Sequence, residues 1–234
     1  MKTLYEKKSR FLHWMRCLGC AIVFCSLCVC GFFFSSCSKK IDYFSYVSEL
    51  RNNIFLAQTD EFSLRIYSVK KETPYVADGI PKEITTRTEI YLSAPEGNQT
   101  YTLSFSFNGN NYGGEMSYDN VKSEYYYSCN LDCSAAKEIN CHLEYGEKLM
   151  DIKAVSILNS ETLSPKAVLN NVMHAEKELF SSMTDKYGFI GEIYLRLIYE
   201  EAPYYYVGII DRNGDVYAFL INAQTGKILA KRQS

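Results

Sequence analysis

The residues best suited to metal or redox chemistry are three cysteines and a histidine in the second half of the chain. Cys129, Cys133 and Cys141 have three and seven residues between them, and His142 follows directly. This spacing is not a usual zinc pattern, although three cysteines and one histidine are a zinc-binding composition. In an exported chain one disulfide is favoured, and an odd number of thiols leaves at least one unpaired. Buried free thiols are the other alternative, and no metal or other cofactor is expected.

Residues for nucleophilic or phosphate chemistry form no recognisable group. Beyond the first 36 residues the histidines are His142 and His174, and the sequence has no Gly-x-Ser-x-Gly, His-Glu-x-x-His or phosphate-binding glycine loop. A serine or cysteine nucleophile needs a base beside it, and no sequence neighbour supplies one. We therefore expect a protein without catalytic activity.

An acidic loop at 211–215 resembles the start of a calcium-binding loop. An EF-hand loop that began at Asp211 would need glycine at its sixth position and an acidic residue at its twelfth. Those positions are Val216 and Asn222, so the loop does not fit. The Asn213-Gly214 pair instead predicts a type I′ hairpin turn, in which both central residues adopt positive φ.

Two tyrosine triplets, 125–127 and 204–206, are candidates for a binding surface. In a strand, successive side chains point to opposite faces, so at most two rings of each triplet lie on one side. Packing in the core and across strands is the expected role of these rings. Because tyrosine is also enriched in protein interfaces, an exposed tyrosine face is the alternative.

The first 36 residues have the pattern of an export signal. A basic segment over residues 7–16 precedes an apolar run over residues 17–34, and two serines stand directly before Cys37. A positive segment, an apolar segment and small residues at a cleavage site are the three parts of a secretory signal. The serines and Cys37 resemble the lipobox of bacterial lipoproteins, a family in which this cysteine is acylated and becomes the first residue of the mature chain. The resemblance implies a signal peptide at 1–36 and a lipidated tether at 37–45.

An uncleaved transmembrane helix is the alternative interpretation of the same segment. Residues 17–36 are 20 residues, which is long enough to span a hydrocarbon core of about 30 Å. In both interpretations the basic flank stays in the cytoplasm, so the rest of the chain lies outside it. We therefore expect a protein at the extracytoplasmic face of the cell membrane, with the membrane as a partner through its N-terminal lipid.

The charge of the exported part excludes one class of partner. Residues 1–37 contain five of the 25 basic and one of the 27 acidic residues, which leaves a net charge near −6 on the remainder. Nucleic-acid binding needs a basic face, so no nucleic-acid partner is expected. The same balance argues against a polybasic lipid-binding surface.

Residues 46–158 are predicted to form a β-rich domain. The clearest strand is 101–107, where Tyr101, Leu103, Phe105 and Phe107 alternate with polar residues. About seven short strands with Asn, Gly and Pro between them predict an antiparallel sandwich-like domain or partial barrel. Residues 46–57 fit either one face of a helix or the lead-in to a strand.

Residues 164–234 are predicted to form a second, small α+β domain. Ser164 and Pro165 are typical of a helix start, and the apolar spacing predicts a helix over 165–180 that lies across a small antiparallel sheet. Residues 221–229 close the chain with a strand after the turn Asn222 to Lys227. In this turn Gly226 is predicted to adopt positive φ, with Asn222 and Thr225 bonding the turn backbone.

This last segment resembles a PepSY domain. The matching residues are 205–207, Asp211, the Asn213-Gly214 turn, Tyr217 and above all 221–229. The resemblance implies an α-β-β-β module over 164–234 and a binding or inhibitory role towards an envelope protein or peptidase. A ligand carrier or envelope chaperone, with an apolar or glycan ligand in the β-rich domain, is the alternative.

Overall fold

The computed structural model describes residues 41–72, 82–94 and 99–234 of the chain. The signal peptide predicted at 1–36, Cys37 and the first residues of the predicted tether lie outside the described residues. Residues Asp42–Ser234 form one compact unit. No helix in the described ranges is both long and apolar enough to cross a bilayer.

The secondary structure is dominated by strands. A 3-10 turn (Tyr43–Tyr46) leads into the first strand, and two helices, α1 (Pro165–Ala175) and α2 (Lys177–Ser182), follow the ninth. The strands are β1 (Val47–Gln58), β2 (Ser63–Glu72), β3 (Ile84–Ser93), β4 (Tyr101–Phe107), β5 (Asn110–Glu115), β6 (Ser117–Asp119), β7 (Glu124–Cys129), β8 (Glu138–Tyr145), β9 (Lys148–Ser156), β10 (Thr184–Asp185), β11 (Gly188–Phe189), β12 (Gly191–Glu200), β13 (Ala202–Asp211), β14 (Val216–Asn222) and β15 (Ile228–Gln233).

Strand β1 is the centre of a mostly antiparallel sheet. One edge pairs with β2, while the other edge is shared between β12, which pairs in parallel, and β9, which pairs near Phe55 and Leu56. From β2 the sheet continues through β3 and β7 to β6, and from β9 through β8 and β4 to β5. The Tyr127 hydroxyl on β7 also forms hydrogen bonds with the backbone of Gly113 on β5. The β2-to-β6 and β9-to-β5 arms of the sheet therefore meet, and the sheet is nearly closed into a barrel.

Alternating residues of these strands fill the barrel. In β8, for example, Ile139, Cys141, Leu143 and Tyr145 are buried while the residues between them are exposed. Other residues of the core are Phe55, Phe62, Leu64, Ile66, Ile90, Leu92, Tyr101, Leu103, Phe105, Met116, Tyr125, Cys133, Ile152 and Ala154. The period-2 pattern that predicted strands in the sequence therefore also marks this core.

Two predictions for this region are corrected. The sandwich-like alternative is not found, because the sheet curves back on itself through the two edges of β1, and this barrel-like form agrees with the partial-barrel alternative. The helical alternative for residues 46–57 is wrong, because Val47–Gln58 is the central strand. The predicted antiparallel, β-rich character is confirmed.

Helix α1 begins where the sequence predicts. The Ser164 side chain accepts from Ala167 N at 3.3 Å, and Pro165 occupies the first turn. Val168 and Val172 are fully buried, and so are Leu195 on β12 and Val207 on β13. The predicted helix over 165–180 is, however, broken at Glu176, whose backbone leaves the helical region and whose carboxylate binds Lys231 on β15.

The four strands β12–β15 form an antiparallel meander beside β1. The hairpin at Asn213-Gly214 lies where the sequence predicts, but its turn type differs. Only Gly214 has positive φ, because the Asp211 carboxylate accepts from Asn213 N and Asp215 N and shapes a wider loop. Both Asp211 carboxylate oxygens accept hydrogen bonds from within this loop, Oδ1 from backbone N–H groups and Oδ2 from the Asn213 side-chain amide.

The turn before β15 is held by Asn222. Its side-chain oxygen accepts from Gln224 N at 3.0 Å and Thr225 N at 2.8 Å, and Gly226 has a φ of +70°. The predicted positive-φ glycine and its polar support are confirmed. The Asx-type bonds and the glycine together direct Ile228 onto β14.

The boundary that the sequence predicts at residues 159–165 falls at the connection between β9 and the start of α1. Across it, β1 pairs with β12, so strands from the segments 46–158 and 164–234 share one sheet. The division into two domains stays a prediction. Residues 42–45, predicted as the end of the tether, belong to the compact unit.

Candidate functional site

A row of tyrosine and arginine side chains crosses the sheet on the face turned away from the barrel core. Its members occupy six neighbouring strands, with one residue from each strand. We call this the Tyr–Arg row, and its members are Tyr126 (β7), Tyr91 (β3), Tyr67 (β2), Arg51 (β1), Arg196 (β12) and Tyr206 (β13).

The first half of the row is held together by contacts between rings. Tyr91 lies directly opposite Tyr126 in the β3–β7 pair, and their ring centroids are 5.1 Å apart. The ring of Tyr67 is 5.4 Å from that of Tyr91. The Arg51 guanidinium lies over the Tyr67 ring, with its Cζ 4.2 Å from the centroid, which is within the range of a cation–π contact.

The second half continues through arginine. Arg51 lies opposite Arg196 in the parallel pair of β1 with β12, and Arg196 lies opposite Tyr206 in the next pair. The Arg196 Cζ is 4.9 Å from the Tyr194 centroid and 6.0 Å from the Tyr206 centroid. The row therefore joins the barrel to the C-terminal meander on one surface.

A bulge in β1 places Arg51 in this row. The pairing of β1 with β2 shifts between Arg51 and Asn53. Because of the extra residue, Asn53 points to the opposite face, where its amide donates to Ser134 O at 3.0 Å. Without the bulge, Arg51 and Asn53 would lie on the same face.

Two buried carboxylates fix the cations around the row. Glu49, which is 8% exposed, accepts from Arg196, and Glu89, which is 4% exposed, accepts from Lys71. Tyr91 donates to Glu89 Oε2 at 3.3 Å. Burial, followed by the Glu89 carboxylate, raises the pKa of Tyr91, so its hydroxyl stays a donor at neutral pH.

The side chains of the Tyr–Arg row are held in place by their neighbours. Its tyrosines and arginines are half-buried, and their aromatic and ionic neighbours restrict their rotamers. Arg51 Nε and Arg87 Nε, on either side of Val69, are buried without an acceptor among the described residues. Such a surface loses little side-chain entropy on binding, and it offers flat rings and hydrogen-bond donors to a partner.

The two tyrosine triplets contribute to both core and surface. Tyr125, the first ring of the triplet 125–127, is 3% exposed, and Tyr205, the central ring of the triplet 204–206, is 1% exposed. Both are therefore core residues. Tyr126 and Tyr206 lie in the Tyr–Arg row. The prediction of core packing is confirmed for Tyr125 and Tyr205, whereas Tyr126 and Tyr206 are half-buried on the other face of the sheet and their role in binding stays a prediction.

The three cysteines lie in or beside the barrel core and are free thiols, which is the alternative given for them and not the disulfide that the sequence favours. Thr88 Oγ1 is 3.2 Å from the sulfur of Cys133, and Thr88 also lies opposite Cys129 in the β3–β7 pair. Burial raises the pKa of Cys129 to about 11 and that of Cys141 to about 12. Cys141 faces the barrel and the next residue, His142, faces solvent, so these two do not converge on a metal. No cluster of three His, Cys, Asp or Glu side chains suited to a metal occurs in the described ranges.

A serine, a histidine and an aspartate lie in one cross-strand row on the exposed face of β4, β8 and β9. Ser104 is opposite His142, and His142 is opposite Asp151, whose Oδ1 lies 2.5 Å from His142 Nδ1. Acyl transfer also needs a hydrogen bond between nucleophile and base and donors for an oxyanion. The Ser104 hydroxyl makes no hydrogen bond to His142, so the row lacks the first of these features.

Sequence reasoning missed four of the six row residues: Arg51, Tyr67, Tyr91 and Arg196. A signal was present in the polar face of the strands, where Arg65 and Tyr67 alternate with buried residues, as do Glu89 and Tyr91. The pairing that aligns these faces depends on the bulge in β1 and on the parallel contact with β12. Neither feature has a local sequence signature.

Comparison with protein-family models, with curated proteins and with solved structures gives no match for this chain.

Proposed function

We propose that this chain is a bacterial lipoprotein that is held at the extracytoplasmic face of the membrane by acylated Cys37 and binds a protein partner without catalysing a reaction. The anchor is supported by the order of basic, apolar and small residues before Cys37. The binding role is supported by the Tyr–Arg row, which is the observation that carries the proposal.

The composition and the geometry of the row both fit a protein interface. Tyrosine and arginine are the residue types most enriched, with tryptophan, among the side chains that dominate interface energies. The row is continuous over six strands, from Tyr126 to Tyr206, and is fixed by buried Glu49 and Glu89. Surfaces with fixed, amphipathic rings bind flat protein surfaces at a low cost in entropy.

A protein partner is better supported than an apolar ligand inside the barrel. The barrel axis is occupied by large side chains such as Phe55, Phe105 and Tyr101, which are at most 2% exposed. A carrier of apolar molecules needs an internal cavity lined by such side chains rather than filled by them.

A PepSY-like module over 164–234 is part of the proposal, with an envelope protein or an extracellular peptidase as the class of partner. It is supported by helix α1, by the antiparallel strands that follow it and by the turn from Asn222 to Lys227. In the structure the meander has four strands instead of the three implied by the resemblance.

Site-specific photo-crosslinking in the native membrane tests the proposal. A photoreactive phenylalanine replaces Tyr126 or Tyr206 in the full chain, and Leu149, which is 71% exposed on β9 away from the row, provides the matched control position. We expect the two row positions to give the same cross-linked protein, identified by mass spectrometry, and Leu149 not to give it.

The partner's identity is then tested by binding. The soluble 38–234 chain, with and without Tyr126→Ala and Tyr206→Ala, is titrated with the identified protein. We expect each alanine to weaken binding about tenfold or more, as for a central interface tyrosine. Equal cross-linking at Leu149 and at the row positions, or unchanged affinity of both alanine variants, would contradict the proposal.

A further inference from the structure

The start of the compact unit is fixed to a short hairpin by a cluster of aromatic rings. Tyr43 in the 3-10 turn packs edge-on against Phe180 and Phe189, with centroid distances of 4.9 and 5.4 Å. Tyr46 packs against Phe189 at 5.3 Å, and its hydroxyl lies beside Gly188. The 3-10 turn and the hairpin formed by β10 and β11 therefore lie together at one surface of the unit.

This surface carries exposed aromatic and basic side chains. Tyr187, at the tip of the hairpin, is 83% exposed, and the Lys186 Nζ is 4.8 Å from its ring. Beside the 3-10 turn, the Lys166 Nζ lies 5.9 Å from the Phe44 ring. We call Phe44, Lys166, Lys186 and Tyr187 the hairpin patch.

The hairpin patch lies close in sequence to the proposed anchor. Only four residues separate Cys37 from Asp42, the first residue of the compact unit. Five residue steps extend over at most about 18 Å, whereas a unit of this length has a diameter of about 40 Å. A chain anchored at Cys37 therefore has the surface around Asp42 turned towards the bilayer.

We propose that the hairpin patch rests on the lipid headgroup layer, with the Tyr187 ring and the Lys186 ammonium entering it. Tyrosine rings concentrate at the membrane–water interface because they are apolar with one polar end. A lysine beside the ring pairs with lipid phosphates. The proposal rests on anchoring at Cys37, which is part of the proposed function.

The balanced charge of the hairpin patch is consistent with a weak membrane contact that depends on the lipid anchor. Lys166 lies 3.7 Å from Asp42, and the Asp185 carboxylate accepts from Tyr187 N at 2.7 Å and Gly188 N at 3.1 Å. The two lysines and two aspartates balance, so the patch is not a polybasic surface. Attachment by the lipid supplies the high local concentration that makes such a weak contact effective.

Tryptophan fluorescence on vesicles tests the proposal. The single tryptophan, Trp14, lies in the predicted signal peptide, so a mature chain that carries Tyr187→Trp has one emitting residue. The purified lipoprotein is reconstituted in vesicles of phosphatidylglycerol and phosphatidylethanolamine that contain a headgroup-region nitroxide lipid. We expect a blue-shifted emission that the nitroxide quenches and aqueous acrylamide quenches poorly.

Tyr118→Trp is the control, because Tyr118 is an exposed tyrosine on β6, an edge strand of the large sheet, whereas Tyr187 lies on the separate β10–β11 hairpin. Its emission should stay accessible to acrylamide and unaffected by the nitroxide. Adding Lys186→Glu to the Tyr187→Trp chain should lower the fraction of quenched emission, with an about fivefold shift in the contact equilibrium. Equal quenching at the two positions would overturn the proposal.

A second experiment tests the membrane contact of the hairpin patch independently of lipidation at Cys37. The chain from residue 38 onwards carries an N-terminal histidine tag and is attached to the same vesicles through a nickel-chelating lipid. An intact mass without acyl groups in the native sample contradicts lipidation, while quenching of Tyr187→Trp in the tagged arm still supports the patch. A blue shift in solution together with a dimeric mass would assign the patch to a second copy and overturn the membrane contact.

Discussion

A Cβ on Gly226 would overlap the side-chain amide nitrogen of Asn171, so the turn before β15 lies directly against helix α1. Gly226 also has a φ of +70°, a conformation that costs other L-residues about 1–2 kcal/mol. We expect Gly226→Ala to lower the free energy of unfolding by about 2–3 kcal/mol, measured by urea denaturation of the 38–234 chain.

Two further variants divide this loss into its causes. Gly214 has a φ of +89° with nothing within 4 Å of an added Cβ, so Gly214→Ala should show the backbone strain alone. When Asn171→Ala is combined with Gly226→Ala, the part of the loss in unfolding free energy that comes from steric overlap should be recovered. Equal losses for Gly226→Ala and Gly214→Ala would show that the contact with Asn171 carries no energy.

The core of the meander can be tested at Leu195. This side chain is fully buried on β12, as is Val172 on α1. Leu195→Ala should cost about 2–5 kcal/mol, because it removes buried methyl groups and leaves a cavity. Leu229→Ala on β15, where the side chain is 48% exposed, is the matched control and should cost less than about 1 kcal/mol. A loss at Leu195 as small as at Leu229 would contradict the assignment of this face to the core.

Local features of the fold could be predicted because short sequence patterns determine them. Pro165 behind Ser164 fixes a helix start, and alternation in residues 101–107 fixes a strand. The turn from Asn222 to Gly226 was predictable because only glycine adopts its φ without strain. Each of these features depends on residues that are neighbours in the chain.

Features that depend on distant contacts could not be predicted. Residues 46–57 have apolar residues at helical spacing, but two partner strands on the edges of β1 make this segment a strand. The helix breaks at Glu176 where Lys231, 55 residues later, binds its carboxylate. The Tyr–Arg row needs both the bulge after Arg51 and the parallel pairing with β12, so only its end residues, Tyr126 and Tyr206, were visible as candidates.

The reactivity of Cys129 should depend strongly on pH. Burial, with a smaller contribution from Cys133, raises the pKa of this half-buried thiol from 9.0 to about 11. Because the thiolate is the reactive form, alkylation at pH 7 should be about 100-fold slower than for an unperturbed thiol. The rate should rise about tenfold per pH unit until the pH approaches the pKa. Iodoacetamide labelling followed by mass spectrometry measures the alkylation rate of Cys129, and Cys129→Ser should abolish labelling at this position. Rapid labelling at neutral pH would contradict the burial of the thiol.

The stability of the fold should fall in alkaline solution. Tyr205 is 1% exposed, its hydroxyl donates to Leu163 O at 3.0 Å, and burial raises its pKa from 10.0 to about 12. Since the folded state keeps the proton that the unfolded chain releases, the stabilisation is fully present below pH 10. It is lost as the pH rises towards 12, by up to about 1.4 kcal/mol per pH unit.

Denaturant unfolding between pH 8 and pH 12 measures this loss. Tyr205→Phe removes the titrating group, so its stability should fall less steeply above pH 10. At neutral pH the same variant should lose about 1 kcal/mol with the hydrogen bond. Parallel pH profiles for the two chains would show that Tyr205 does not control the alkaline transition.

The ion pair of Glu49 and Arg196 tests whether the barrel and the meander unfold together. Glu49 lies on β1 and Arg196 on β12, at the parallel contact that joins the two segments. Arg196→Met leaves the buried Glu49 carboxylate without this cation, which should cost about 1–3 kcal/mol since Arg196 is partly exposed. Glu49→Gln combined with Arg196→Met should recover part of the loss, because no charge is then left buried.

Because β1 contributes to both regions, we expect a single unfolding transition in which Arg196→Met lowers the stability of both. Hydrogen exchange measures this directly, and amides of β8 in the barrel and of β13 in the meander should lose protection by the same factor. Lys153→Met on β9, which removes an exposed ion pair with Glu138 on β8, is the matched control and should leave both sets unchanged. Lost protection confined to β13, with a separate second transition for the barrel, would instead support independent domains at 46–158 and 164–234.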